Sequence, residues 1–196
     1  MENLVLLALA TTVLVAIPGP NVALIVANSL RDGWQAGAVT VLGTTLGVAL
    51  QLALVVVGLV AVVELVAEAL TWIRWAGVAY LVWLGIRTWR TPPDDLARVR
   101  AQPAVFWQGC MIAALNPKTL LFNAAFLPQF VAPGAGAGQW LAVVAVFVGV
   151  LLLGDMLWVL FANSARRLLH GFGRARNRLT GAFLVLAGIG LALSRR

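Results

Sequence analysis

The sequence predicts an all-α membrane protein with six transmembrane helices. Three observations carry that prediction. Of its 196 residues, 62% are hydrophobic and only 11% charged, whereas a soluble domain carries about 25% charged residues. The apolar residues fall into runs of the length that crosses a bilayer. Most of the arginines sit between those runs or at their edges.

Six runs can be drawn, over residues 4–28, 36–63, 69–88, 105–131, 140–163 and 179–193. Met1-Glu2-Asn3 leads straight into the first of them with no basic residue. A cleavable signal peptide begins with a positive segment, so the first helix is expected to stay in the mature protein. Cytoplasmic loops are enriched in Lys and Arg. Arg31 lies in the first loop, Arg87, Arg90, Arg98 and Arg100 in the third, and Arg166, Arg167, Arg174, Arg176 and Arg178 in the fifth. The odd-numbered loops therefore face the cytoplasm and both termini face outward, against the dissent of Arg74, Arg195 and Arg196. Glu64 and Glu68 mark the second loop.

Three spans per half make a second copy enter the membrane inverted. The first and fourth runs support such a repeat, because each holds proline deep in apolar sequence: Pro18-Gly19-Pro20-Asn21 in one and Asn116-Pro117-Lys118 in the other, about half the chain apart. The reading is one transmembrane domain over 1–196, with a first repeat over about 1–90, a cytoplasmic linker over about 91–104 containing Pro92, Pro93, Asp94 and Asp95, and a second repeat over about 105–196.

Proline removes a backbone donor and pushes away the carbonyl one turn earlier. Two prolines around Gly19 should open a turn at membrane depth, where irregular backbone is tolerated only if it is buried in protein or lines a wet cavity. The feature admits a simple kink. Its doubling at half-chain spacing points instead to a binding site of the kind formed by paired broken helices in transporters, with Asn21 and Asn116 placed to bond a substrate or cap freed backbone. Helices restarting at Pro20 and Pro117 would offer N–H groups and partial positive charge to a carboxylate, and Lys118 adds a full charge.

An ammonium inside the membrane is costly and needs water, a partner or a function. Asp155 is the one acidic residue deep in an apolar run. It has three open roles: pairing with Lys118, contacting a substrate ammonium, or carrying a proton.

The remaining features have plainer readings. Gly33, Gly37, Gly43 and Gly47 allow close helix packing, and Thr44, Thr45 and Gln51 add polar groups to the second run. Trp34, Trp72, Trp75, Trp89, Trp107 and Trp140 form an interfacial belt. The lone Cys110 precludes an intrachain disulfide or a cysteine metal site. His170 is a solvated loop residue, and no metal or other cofactor is implied. The net charge of +7 belongs to topology-setting loops, which argues against a nucleic-acid partner. No phosphate-binding glycine loop occurs, so transport energy must come from a gradient. The spans lack the nucleophile, paired-carboxylate or metal-ligand sets of an enzyme. Besides an exporter, the pattern admits a transporter of another metabolite or a non-transporting assembly subunit.

The proline motif of the first span, the glycine-spaced second span after Trp34, Asn116-Pro117-Lys118, and Asp155 with Trp158 together resemble the LysE/RhtB family of amino-acid exporters over essentially the whole chain. The resemblance implies export of amino acids or close derivatives across the bacterial inner membrane, driven by the proton-motive force, by a protein that dimerises in lipid. It carries substrate binding to Pro18, Gly19, Pro20, Asn21, Asn116, Pro117 and Lys118, and proton or cation coupling, less firmly, to Asp155.

Overall fold

A computed structural model of the chain describes residues 2–56, 60–90, 102–132, 134–168 and 173–193. Among these it is helical, with no strand. The first apolar run forms two helices, α1 (Glu2–Ala16) and α2 (Pro20–Asp32), bent by 58°. The helix stops where Pro18 withholds an N–H and restarts at Pro20, whose fixed φ suits a first helical position. The second run is α3 (Trp34–Val56) and the third lies in α4 (Val60–Arg90).

The fourth run breaks in the same manner. Helix α5 (Gln102–Ala114) ends two residues before α6 (Pro117–Leu121), which continues as a π-helical turn over Phe122–Phe126 and a 3-10 turn over Leu127–Phe130. The bend between the two parts is 47°. Helices α7 (Ala137–Leu168) and α8 (Gly173–Leu193) complete the structure.

Length and composition qualify α3 and α7 as membrane spans, and each bent pair as one more. The burial pattern agrees, since it inverts that of a soluble protein. Val5, Leu6, Leu9 and Val13 of α1 and Leu153, Leu157 and Leu160 of α7 are exposed, while Asn21, Asn28, Thr40, Gln51, Asn116, Asn123 and Asp155 are buried. Helix α2 is the centre: every residue from Pro20 to Leu30 is buried. Its Ala23, Leu24 and Ala27 pack with Leu81 and Leu84 of α4 and Leu184 of α8. Ile25 packs with Val41 of α3 and Val159 of α7.

Small residues set the closest helix pairs. A Cβ on Gly43 or Gly47 of α3 would land on the carbonyl oxygens of Phe106 or Cys110 in α5. Between α4 and α8, a Cβ on Gly85 would lie 2.8 Å from the Gly181 carbonyl and one on Gly181 2.6 Å from the Gly85 carbonyl. Backbone cannot yield as a side chain can, so Gly43→Val is expected to lower the stability of the folded protein by about 1–3 kcal/mol or more. A detergent melting temperature equal to that of the unaltered protein would contradict this packing.

Several expected boundaries move. Glu64, Glu68 and Arg74 fall within α4 and not at a loop, because residues 60–76 hold neither proline nor glycine and nothing stops the helix. Arg166 and Arg167 extend α7, and Arg174, Arg176 and Arg178 belong to α8. Gly33 is not part of the glycine stripe of α3: at φ 94° it terminates α2, its N–H bonding the Ser29 carbonyl. The linker prolines Pro92 and Pro93, Asp94, Asp95, Arg98, Arg100, His170, Arg195 and Arg196 lie outside the described residues.

Candidate functional site

The two breaks meet. Each proline-interrupted helix leaves carbonyls without their usual N–H partners, and each set is satisfied from the opposite half of the chain. At the end of α1, Lys118 Nζ donates to the Leu14 carbonyl at 2.7 Å and to the Ile17 carbonyl at 2.6 Å. The Leu14 oxygen is the one Pro18 would bond had it an N–H. Trp158 Nε1 donates to the Val15 carbonyl at 3.1 Å. A cation at this position also offsets the negative end of the α1 dipole.

At the end of α5, Gln51 of α3 plays the corresponding part. Its Nε2 donates to the carbonyls of Ala113, Ala114 and Asn116 at 3.0, 3.1 and 3.2 Å. Its Oε1 accepts from Asn123 Nδ2 at 3.3 Å. Asn116 Nδ2 donates to Asn21 Oδ1 at 2.8 Å and ties the breaks together. Gly19 leaves room for the lysine stem, since a Cβ there would sit 3.4 Å from Lys118 Cδ.

The restarting helices differ at their N-terminal ends. Asn116 caps α6, its Oδ1 accepting the Lys118 N–H at 3.0 Å. Gly19 supplies no side-chain cap to α2. The first amide of α2 that finds a backbone acceptor is that of Ala23, on the Gly19 carbonyl. The N–H groups of Asn21 and Val22, both buried residues, remain open. That is the electropositive end of a 13-residue helix, suited to an anion.

Asp155 is 2% exposed and its Oδ2 has no hydrogen-bond partner. It forms no direct ion pair with Lys118, whose donors go to the α1 carbonyls. Packing against two helices, α1 and α2, fixes its level. Its neighbour Gly154 lies against Val15, where a Cβ would come within 2.5 Å of Cγ1. Helix α2 runs parallel to α7, with Ile25 beside Val159 and Gly33 beside Arg166. One turn back along both helices, Asn21 stands level with Asp155. The level of the breaks therefore carries open amides suited to an anion and a carboxylate oxygen without a hydrogen bond suited to a cation.

The structure thus brings Pro18, Gly19, Pro20, Asn21, Asn116, Pro117 and Lys118 into one locus with Asp155 beside it. Sequence reasoning gave no specific part to Trp158 or Asn123, and weighed Gln51 as polar lining or as a residue that bonds across to a neighbouring helix, which is what it does. A long polar side chain in an apolar run is the signal that singles out Gln51 and Asn123. Nothing in the sequence directs the indole of Trp158 to the Val15 carbonyl.

Comparison with known proteins identifies a family. The model of the LysE type translocator family matches residues 12–195. The chain is 28% identical over 196 residues to a homoserine/homoserine lactone efflux protein of Salmonella typhi, covering 95% of this chain and 94% of that one. It is 29% identical over 178 residues to a cysteine/O-acetylserine efflux protein of Escherichia coli strain K12, covering 88% of each. It is also 29% identical over 213 residues to a membrane protein, YrhP, of Bacillus subtilis strain 168, covering 99% of this chain and 100% of that one. No solved structure matches. With a family match spanning nearly the whole chain and paired broken helices at its centre, this multi-pass membrane protein belongs to the LysE family of translocators.

Proposed function

We propose that the protein is a secondary exporter that carries small amino acids or their close derivatives out of the cytoplasm, driven by the proton-motive force. One observation carries the reading: the amides of Asn21 and Val22 stay open at the start of α2, and by helix register Asp155, whose Oδ2 has no hydrogen bond, stands at the same level beside the interlocked breaks. A zwitterion presents the complementary pair of charges. Its carboxylate takes the α2 amides, and its ammonium takes Asp155. The efflux names of the relatives, for homoserine, homoserine lactone, cysteine and O-acetylserine, support the same substrate class.

Asp155 holds the substrate ammonium or a returning proton in turn, and that exclusivity couples the two fluxes. The reciprocal capping of α1 by Lys118 and Trp158 and of α5 by Gln51 supports two inverted repeats of three spans. Six spans, with α4 and α8 as the remaining two, place both termini outside the bacterial inner membrane by the distribution of arginines. The exposed leucines and valines meet lipid, and a homodimer follows the family resemblance.

The test is export from bacteria loaded with amino acids by dipeptide feeding. Cells making the protein should release one or a few amino acids faster than cells without it, and collapsing the proton gradient should slow that release. Asn21→Ala at equal abundance, which leaves Asn116 Nδ2 without its acceptor, is expected to slow it about tenfold, the loss of roughly one buried hydrogen bond. No accelerated release of any amino acid would refute the exporter reading.

A further inference from the structure

A second orphan stands beside Asp155. In a helix, threonine ordinarily returns its hydroxyl to a carbonyl of the preceding turn. Thr11, Thr12, Thr40 and Thr88 all do so, to Leu7, Ala8, Ala36 and Leu84 at 2.7–2.8 Å. Thr44 bonds the Val41 carbonyl at 3.0 Å. Thr45 does neither: its Oγ1 is buried and has no partner.

Register places that hydroxyl. Helix α3 runs antiparallel to α7, with Gly37 and Val41 at the level of Val159, and Val48 with Leu151 and Phe147. Thr45 is one turn beyond Val41 and Asp155 one turn before Val159, so the two occupy the same step of the α3–α7 seam. Thr44 turns to the other side, where its backbone N–H lies by Gly109 of α5. Two buried oxygens, each lacking a hydrogen bond, thus lie at one step of the seam, while unpaired buried polar atoms are rare in folded proteins.

We propose that Thr45 and Asp155 together form the ammonium subsite of the exported substrate, and that Thr45 makes it selective for a free primary ammonium. The inference deepens the exporter reading above and rests on it. A primary ammonium has three N–H donors: one meets Asp155 Oδ2 and one meets Thr45 Oγ1. The Lys118 ammonium spends two of its donors on Leu14 and Ile17 and makes no direct ion pair with Asp155. A hard metal ion fits poorly, since it takes six or more oxygen ligands and no cluster of three metal-binding side chains occurs among the described residues. N-acylation or replacement of the amine by a hydroxyl removes the positive charge that Asp155 requires, so such analogues are excluded.

The experiment uses the purified full-length protein in liposomes, with radiolabelled homoserine, cysteine and O-acetylserine as probes. Thr45→Val keeps the side-chain shape and removes the hydroxyl. It is expected to raise the KM of the transported probe about tenfold or more, the loss of one hydrogen bond to a charged group, with Thr45→Ser restoring it. For homoserine, 2,4-dihydroxybutanoate should fail to compete, whereas 2-aminobutanoate, which keeps both the amine and the carboxylate, should compete. An unchanged KM in Thr45→Val, or competition by 2,4-dihydroxybutanoate equal to that of homoserine, would overturn the subsite while leaving export intact. An unaltered protein that moves none of the three probes would overturn the exporter reading and the subsite with it.

Discussion

Asp155→Asn is expected to abolish gradient-driven export, by a hundredfold or more, in a protein that is as stable as the original or more so. The two effects have one cause. Asp155 is 2% exposed with an unpartnered Oδ2, and burying a charge costs several kcal/mol, which the charge of Lys118, not in direct contact, offsets only in part. Asparagine has the same shape and removes that cost, so a stabilisation of about 1–3 kcal/mol is expected. At roughly 2–4 °C per kcal/mol for a chain of this size, that is a visible rise in melting temperature. The amide cannot carry a proton or neutralise an ammonium, so the cycle stops. Functional sites commonly give up stability for activity in this way. Melting in detergent and flux in liposomes, measured on the same preparation, check both halves. Loss of stability together with loss of flux would make Asp155 a structural residue, and normal coupled flux would remove it from the mechanism.

Lys118→Met is expected to act in the opposite direction on stability. The methionine fills the path of the lysine stem but ends one atom short and donates nothing, and it strands the Leu14 and Ile17 carbonyls at the end of α1. Neither contact is fully buried, but at membrane depth water does not replace a lost donor, and each group left unsatisfied costs about 1–3 kcal/mol. The sum predicts a fall of about 2–6 kcal/mol, or a melting temperature lower by about ten degrees, and export lost as the break closes on itself. Pro18 supplies a specific control. Pro18→Ala returns the N–H that the Leu14 carbonyl lacks, so the double variant should recover part of the stability but not the export. If Lys118→Met melts with the unaltered protein, the capping role is wrong.

The interlocked breaks also show which parts of the site were legible in sequence. Proline acts locally: the stops at Ala16 and Ala114 and the restarts at Pro20 and Pro117 follow from missing N–H groups and a fixed φ, wherever the rest of the chain lies. The placement of Asp155 in a costly setting was legible too, because an acid in an apolar run has few cheap alternatives. The glutamates misled because charge marks where a helix leaves lipid, not where it ends. Glu64 and Glu68 are good helix formers, and α4 runs through them. The π-helical turn at Phe122–Phe126 had no local marker beyond Pro128.

By itself, the sequence determined that the chain is helical and membrane-embedded, that two of its spans break, and which residues flank the breaks. Those properties depend on composition and on neighbours within a turn. Only the tertiary structure decided what the breaks do with their freed backbone: Lys118 on α1, Gln51 on α5, Asn116 on Asn21, and Thr45 level with Asp155. Such partners come from helices far apart in sequence, and their meeting depends on helix register, which close glycine packing sets and no short stretch of sequence records.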